Sequence, residues 1–150
     1  MSHSYANILV HCAFSTKERL KMISPDFRQR LRSYLGGIAR ENGMKALAVG
    51  GVEDHVHVLL SLPATMSISK AIQLLKAGSS KWIHDHFPKH GKFSWQEGYG
   101  AFSIGISQRD ETVAYIEGQE GHHKKRNFQG EFRAFLDEQG VHYDERFIWG

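Results

Sequence analysis

The chain has one cysteine, Cys12, among its 150 residues, so no internal disulfide is possible. Its thiol alternates with apolar neighbours and reads as a small buried hydrophobe in a reducing compartment. No run approaches the roughly 18 consecutive apolar residues that a membrane span needs. The opening Met1-Ser2-His3-Ser4-Tyr5-Ala6-Asn7 lacks the charged-then-apolar order of a secretory signal, and the expected location is the cytosol. Charge of one sign is scarce as well. The 19 Lys and Arg against 16 Asp and Glu leave +3 at pH 7, which permits an anionic partner without demanding one. There is no internal repeat, low-complexity tract or flexible linker, which excludes solenoid and disordered architectures. What remains is a chain of one domain's length, 41% hydrophobic and 23% charged, able to bury its own core. Histidine runs against this scarcity: ten residues favour a metal or proton-transfer site.

Ala6, Ile8, Val10, Cys12 and Phe14 alternate with Tyr5, Asn7, Leu9, His11 and Ala13, which predicts a strand over residues 4–15. Ser24-Pro25-Asp26 predicts a helix start, with Phe27, Leu31, Tyr34, Leu35 and Ile38 at helical spacing behind it and Asn42-Gly43 as its end. Strands are expected over residues 45–49 and 55–62, joined by a tight connection through Gly50, Gly51 and Asp54. A second helix, capped by Ser67 or Ser69, carries Ile68, Ile72, Leu75, Trp82 and Ile83 as candidate core contacts and stops before Pro88. A fourth strand with an irregular start is expected within 93–106, then a helix opened by a Ser107-to-Asp110 capping box and holding Val113, Tyr115, Ile116 and Gln119. A polar, basic stretch and a short helix with Phe132, Phe135 and Leu136 close the chain. The order strand–helix–strand–strand–helix–strand predicts an α+β fold, a ferredoxin-like or RRM-like split βαβ sandwich. Two helices cover one face of a four-stranded antiparallel sheet. The other face is left for function or for C-terminal helices. One domain is expected, with a core of about residues 4–125 and a helical tail of about 126–150.

Two short motifs carry the chemistry. In Glu53-Asp54-His55-Val56-His57-Val58-Leu59-Leu60 the two histidines are two apart on a strand, so both imidazoles point to one face, roughly 6.6 Å apart. Alone, this is as compatible with polar residues on a half-exposed strand. In Tyr115-Ile116-Glu117-Gly118-Gln119 the phenol and the amide are four apart and share a helix face. Alone, Tyr115 reads as a core residue and Gln119 as a solvated one. Gly118 between them costs about 1 kcal/mol in a helix interior relative to Ala and suggests a bend or a close approach.

The H-V-H strand, the Trp95-Gln96-x-Gly98-Tyr99 approach to the last strand and the Y-x-x-x-Q helix together resemble the single-tyrosine HUH transposases of the insertion-sequence-200 type, REP-associated relatives included. The resemblance runs from the first strand to about Lys125. It implies that His55, His57 and Gln119 hold a divalent metal and that Tyr115 is the nucleophile. It further implies cleavage and rejoining of single-stranded DNA with hairpin ends through a 5′-phosphotyrosine, in a homodimer whose tyrosine helix can serve the partner's metal site. The residue types suit that chemistry. A phenol of pKa near 10 needs help to attack at neutral pH, and a metal on the scissile phosphate supplies it. Two neutral imidazoles and an amide leave the ion its full charge, and further oxygen ligands from DNA and water suit Mg²⁺ or Mn²⁺, although an imidazole pair would also accept other transition metals.

Lys76, Lys81, Lys124, Lys125 and Arg126 are candidates to follow a DNA backbone, with Lys70 beside them. A zinc site using His122 or His123 is the lesser alternative, since no Cys or acid has matching spacing. His84, His86 and His90 read as surface residues, and Phe93, Trp82 and Trp95 as core. Two competing functions stay open: a nucleic-acid-binding module of this topology without catalysis, and a domesticated endonuclease acting on chromosomal repeats. Binding sheets read bases with aromatics on central strands; His55 and His57 occupy that place here, which favours the enzyme.

Overall fold

A computed structural model describes residues 4–119, 121 and 127–149. Its four strands, β1 (Leu9–Ser15), β2 (Lys45–Gly51), β3 (His55–Ser61) and β4 (Gly100–Ile104), form one sheet in the order β2-β3-β1-β4. Every pairing is antiparallel. Helices α1 (Pro25–Glu41) and α2 (Ile68–His86) pack on one face, and α3 (Arg109–Glu117) and α4 (Phe128–Glu138) on the other. This is the ferredoxin-like sandwich that the order of elements predicts.

The alternation of β3 explains both layers. Val56, Val58 and Leu60, with Val10, Cys12 and Phe14 of β1, meet Phe27, Leu31 and Leu35 of α1 and Ile72, Leu75 and Ile83 of α2 in the main core. Pro25 stands in the first turn of α1, where its missing N–H costs nothing. The helix ends where Gly43 takes φ +79° and Met44 N–H reaches back to the Ala39 carbonyl at 2.9 Å; only glycine adopts that left-handed conformation freely. Of the two serines offered as caps for α2, Ser67 accepts the Lys70 N–H at 3.1 Å.

Several boundaries differ from the sequence expectation: β2 runs on through Gly50 and Gly51, which the sequence places in the connection, and β3 ends at Ser61. β1 begins at Leu9 because its partner β3 ends opposite it, at Ser61; residues 4–8 alternate in sequence but lie beyond the strand. β4 is only Gly100–Ile104. The stretch before it is a loop pinned to the end of β1, where Gln96 takes the Ser15 N–H on its side-chain oxygen at 2.6 Å and returns its own N–H to the Ser15 carbonyl at 3.0 Å. Phe93 and Trp95 anchor that loop in the core. The Ser107–Asp110 capping box does not form. Gln108 instead accepts the Gly105 N–H at 2.9 Å across a 3-10 turn, and α3 starts at Arg109.

Candidate active site

β3 sends His55, His57 and Leu59 to the face opposite α1 and α2, as a period of two requires. That face is roofed by the C-terminal helix α4, one of the two alternatives the sequence offers for it, so the histidines do not lie on an open side. Phe128, Glu131, Phe132, Phe135 and Leu136 form one stripe of the amphipathic helix α4. Phe128, Phe132 and Leu136 pack with Phe102 of β4 and Ala13 of β1. The side chains of His55 and His57 are consequently only 1% and 0% exposed.

Glu131 lies in that apolar stripe and points at the two imidazoles. Its Oε1 is 2.6 Å from His57 Nε2 and 3.5 Å from His55 Nε2. Gln119 Oε1 accepts from His55 Nε2 at 3.0 Å. Both imidazoles therefore turn Nε2 toward one point, while their Nδ1 atoms face away: His55 Nδ1 to Asp54 Oδ1 at 2.7 Å, His57 Nδ1 to His11 Nε2 at 2.8 Å. The ligand atoms of His55, His57 and Glu131 all lie within 4.8 Å of one another, so the three can hold one metal ion. Sequence reading missed Glu131. The available signal was a carboxylate at a core position of the Phe128–Leu136 stripe, where an unpaired charge is very costly.

Tyr115 reaches the same carboxylate, its hydroxyl donating to Glu131 Oε2. Its ring centroid lies 5.9 Å from that of His57, edge to face. Gly50 is what lets α3 come so close. It stands opposite His57 in the β2–β3 ladder, and a Cβ there would lie 2.0 Å from the Ile116 carbonyl oxygen, one residue past Tyr115. Gly118 ends α3, so the chain bends between the phenol and Gln119 and does not run on as one helix. His11, Phe102, Tyr115, Glu131 and Phe135 line a cleft of about 320 Å³ that leads to the phenol.

Charges in this cluster are strongly coupled. Burial alone would raise the Glu131 carboxyl, but hydrogen bonds from His55, His57 and Tyr115 hold it well below the usual carboxylate range. Burial opposes charge on His55 too, yet its bonds to Asp54 and Glu131 raise it to about 9. His11 has no carboxylate bonded to it, and burial with the neighbouring His57 pushes it down to about 3. Cys12, on the other face of β1, is buried and raised to about 12 by that burial.

The remaining residues singled out in the sequence lie elsewhere. Lys76 Nζ donates to the carbonyls of Gln96 and Gly98 at 2.7 Å and of Glu97 at 3.2 Å, so its donors are engaged in holding the loop before β4. Burial lowers its ammonium to about 8. Lys81 is exposed and pairs with Asp85 at 2.7 Å. Lys124, Lys125, Arg126, His122 and His123 lie outside the described residues. His84 and His86 bond the carbonyls of Phe93 and Trp82.

Paired imidazoles on a central strand of a ferredoxin-like sheet, with the tyrosine of α3 and the glutamine just after that helix beside them, are the arrangement that the resemblance to the HUH class of tyrosine transposases implies. The family model described as "Transposase IS200 like" matches residues 4–119, and the chain belongs to that family. It is 25% identical over 114 residues to the ISDra2 transposase TnpA of Deinococcus radiodurans, covering 73% of this chain and 81% of the relative. It is 26% identical over 110 residues to the transposase for insertion sequence element IS200 of Salmonella typhimurium, covering 70% and 72%. A crystal structure described as a transposase from Deinococcus radiodurans R1 superposes with a TM-score of 0.63 at 25% identity, covering 79% of this chain and 96% of that one. The REP-associated tyrosine transposase bound to a REP hairpin shares the fold, with a TM-score of 0.60 at 16% identity over 82% and 73%. Glu131 and α4 lie beyond the family-matched residues.

Proposed function

We propose that this transposase cleaves and rejoins single-stranded DNA carrying hairpin ends, with Tyr115 as nucleophile and a divalent metal, Mg²⁺ or Mn²⁺, held by His55, His57 and Gln119. Glu131 joins that set, which amends the expectation of an ion with its full charge, because one carboxylate offsets a unit of it. The observation that carries the reading is that Tyr115 and the His55–His57 pair reach one carboxylate. When bound, the metal polarises the scissile phosphate and stabilises charge on the leaving oxygen. Tyr115 attacks phosphorus. As its oxygen bonds to phosphorus the phenol gives up its proton, the bond from phosphorus to the 3′ oxygen breaks, and that oxygen takes up a proton, leaving a 5′-phosphotyrosine and a free 3′-hydroxyl. Gln119 and Glu131 would complete the ligand set beside the imidazoles, and Glu131 also holds the phenol oxygen in place. The phosphotyrosine keeps the energy of the broken ester, so rejoining needs no ATP.

The REP hairpin in the related complex and the net charge of +3 support DNA as partner, with Lys81, Lys124, Lys125 and Arg126 as candidate backbone contacts. A homodimer and a cytosolic location belong to the same reading. Among the described residues, no helix is long and apolar enough to cross a membrane. Incubation with labelled single-stranded hairpin DNA tests the proposal: an SDS-resistant protein–DNA adduct should form with Mg²⁺ or Mn²⁺ and be absent in EDTA. DNA retention without an adduct under any metal would favour the binding-module reading.

A further inference from the structure

We propose that His11 is a positioning residue for the metal ligand His57, accepting the proton that His57 must carry on Nδ1 when its Nε2 binds an ion. The inference rests on the metal reading above. His11 sits on β1 diagonal to His57: the register pairs His11 with Leu59 and Ala13 with His57. Its side chain is buried among aromatic rings beside the ligand cluster. Its ring contacts Phe135 edge-on at 5.0 Å and Phe102 at 6.4 Å, and its Nε2 lies 2.8 Å from His57 Nδ1.

A neutral imidazole carries one proton. If Nε2 of His57 binds an ion, that proton must sit on Nδ1, deep in the protein, and needs an acceptor. His11 Nε2 is that acceptor. Asp54 does the same for His55 from the turn before β3. The two ligands thus have different outer partners, an acid for His55 and a neutral base for His57. Histidine suits the second position because its Nε2 can either give or take a proton. Without the ion, His57 donates from Nε2 to Glu131 and can take a proton from His11 at Nδ1. With the ion, the direction of the His11–His57 bond reverses. A lysine at position 11 could only donate and would oppose metal binding. Removal of such outer partners typically weakens metal affinity 10–100-fold.

Titration calorimetry of the full chain with Mn²⁺ tests this, using His11→Phe, which keeps the ring contacts and removes the acceptor, and His11→Asn, whose carboxamide restores one. The account expects His11→Phe to lose about 10–100-fold in Mn²⁺ affinity and His11→Asn to regain part of it. Long-range proton–nitrogen spectra of the Mg²⁺-loaded unmutated chain should show His57 protonated at Nδ1 and His11 unprotonated at the Nε2 that faces it. Equal Mn²⁺ affinity in the unmutated chain and in either folded variant overturns the proposal, provided His57→Ala abolishes binding. Absence of Mn²⁺ binding by the unmutated chain, or binding untouched by His57→Ala, overturns the metal reading itself. If His11→Phe does not fold, His11→Asn and the spectra of the unmutated chain decide, and a His11 protonated at Nε2 in the loaded protein refutes the role.

Discussion

Glu131 is where the amino-acid sequence says least and the structure most. Strand period alone puts His55 and His57 on one face, and helical spacing puts Tyr115 near Gln119. Nothing local ties a glutamate on the last helix to a histidine 74 positions earlier. Only its place within an apolar stripe marks it. Glu131→Gln keeps the shape and removes the charge, and should weaken Mn²⁺ binding by about tenfold or more, read by calorimetry; unchanged affinity would remove Glu131 from the ligand set. The ion-free site also has a pH signature. His55 is raised to about 9, so its stabilising contribution is complete below its ordinary pKa of about 6.5 and is lost as pH rises through 9. His11, lowered to about 3, contributes fully above 6.5 and loses that contribution as pH falls toward 3. The melting temperature in EDTA should therefore peak at about pH 6–7 and fall on both sides. Because an ion must displace the His55 proton, Mn²⁺ affinity should climb from about pH 7 to 9. A flat melting profile across this window would contradict both assignments.

At the level of elements, the helices were largely legible in the sequence because their signals are local. Pro25, Gly43 and Ser67 mark ends that the backbone uses. The strands were less so, since a strand extends only as far as its neighbour does: β1 stops short at Leu9 and β4 at Gly100, although the alternation continues in sequence. The roof over the histidines was legible as a short C-terminal helix offered as one possible cover of that face, but not as a source of Glu131. The seat of the tyrosine helix depends on one missing methyl group. Gly50→Ala would set a Cβ 2.0 Å from the Ile116 carbonyl, and backbone cannot step aside as a flexible side chain can. The expected result is a shift of α3 away from β2, a stability loss of about 1–3 kcal/mol by denaturant unfolding, and a fall in adduct yield of at least about tenfold, since a 1 Å misplacement of a reacting group can cost about 100-fold. Full adduct yield in Gly50→Ala would show that α3 need not lie there during reaction.

At the scale of the whole molecule, a single chain brings its own tyrosine to its own histidines, whereas the family resemblance allows the tyrosine helix to serve a partner. Mixing Tyr115→Phe with His57→Ala separates the two arrangements. The geometry of one chain predicts no adduct from the mixture, and restored adduct would mean that the site is completed across a dimer. The central claim, that Tyr115 is the nucleophile of metal-assisted DNA cleavage, is tested most directly by mapping the covalent attachment. The protein is incubated with single-stranded hairpin DNA and Mn²⁺, digested, and the nucleotide-bearing peptide sequenced by mass spectrometry. The account predicts the nucleotide on Tyr115, and no adduct from Tyr115→Phe despite nearly unchanged DNA binding. An adduct that persists in Tyr115→Phe, or that maps to Tyr99 or Tyr5, would contradict it.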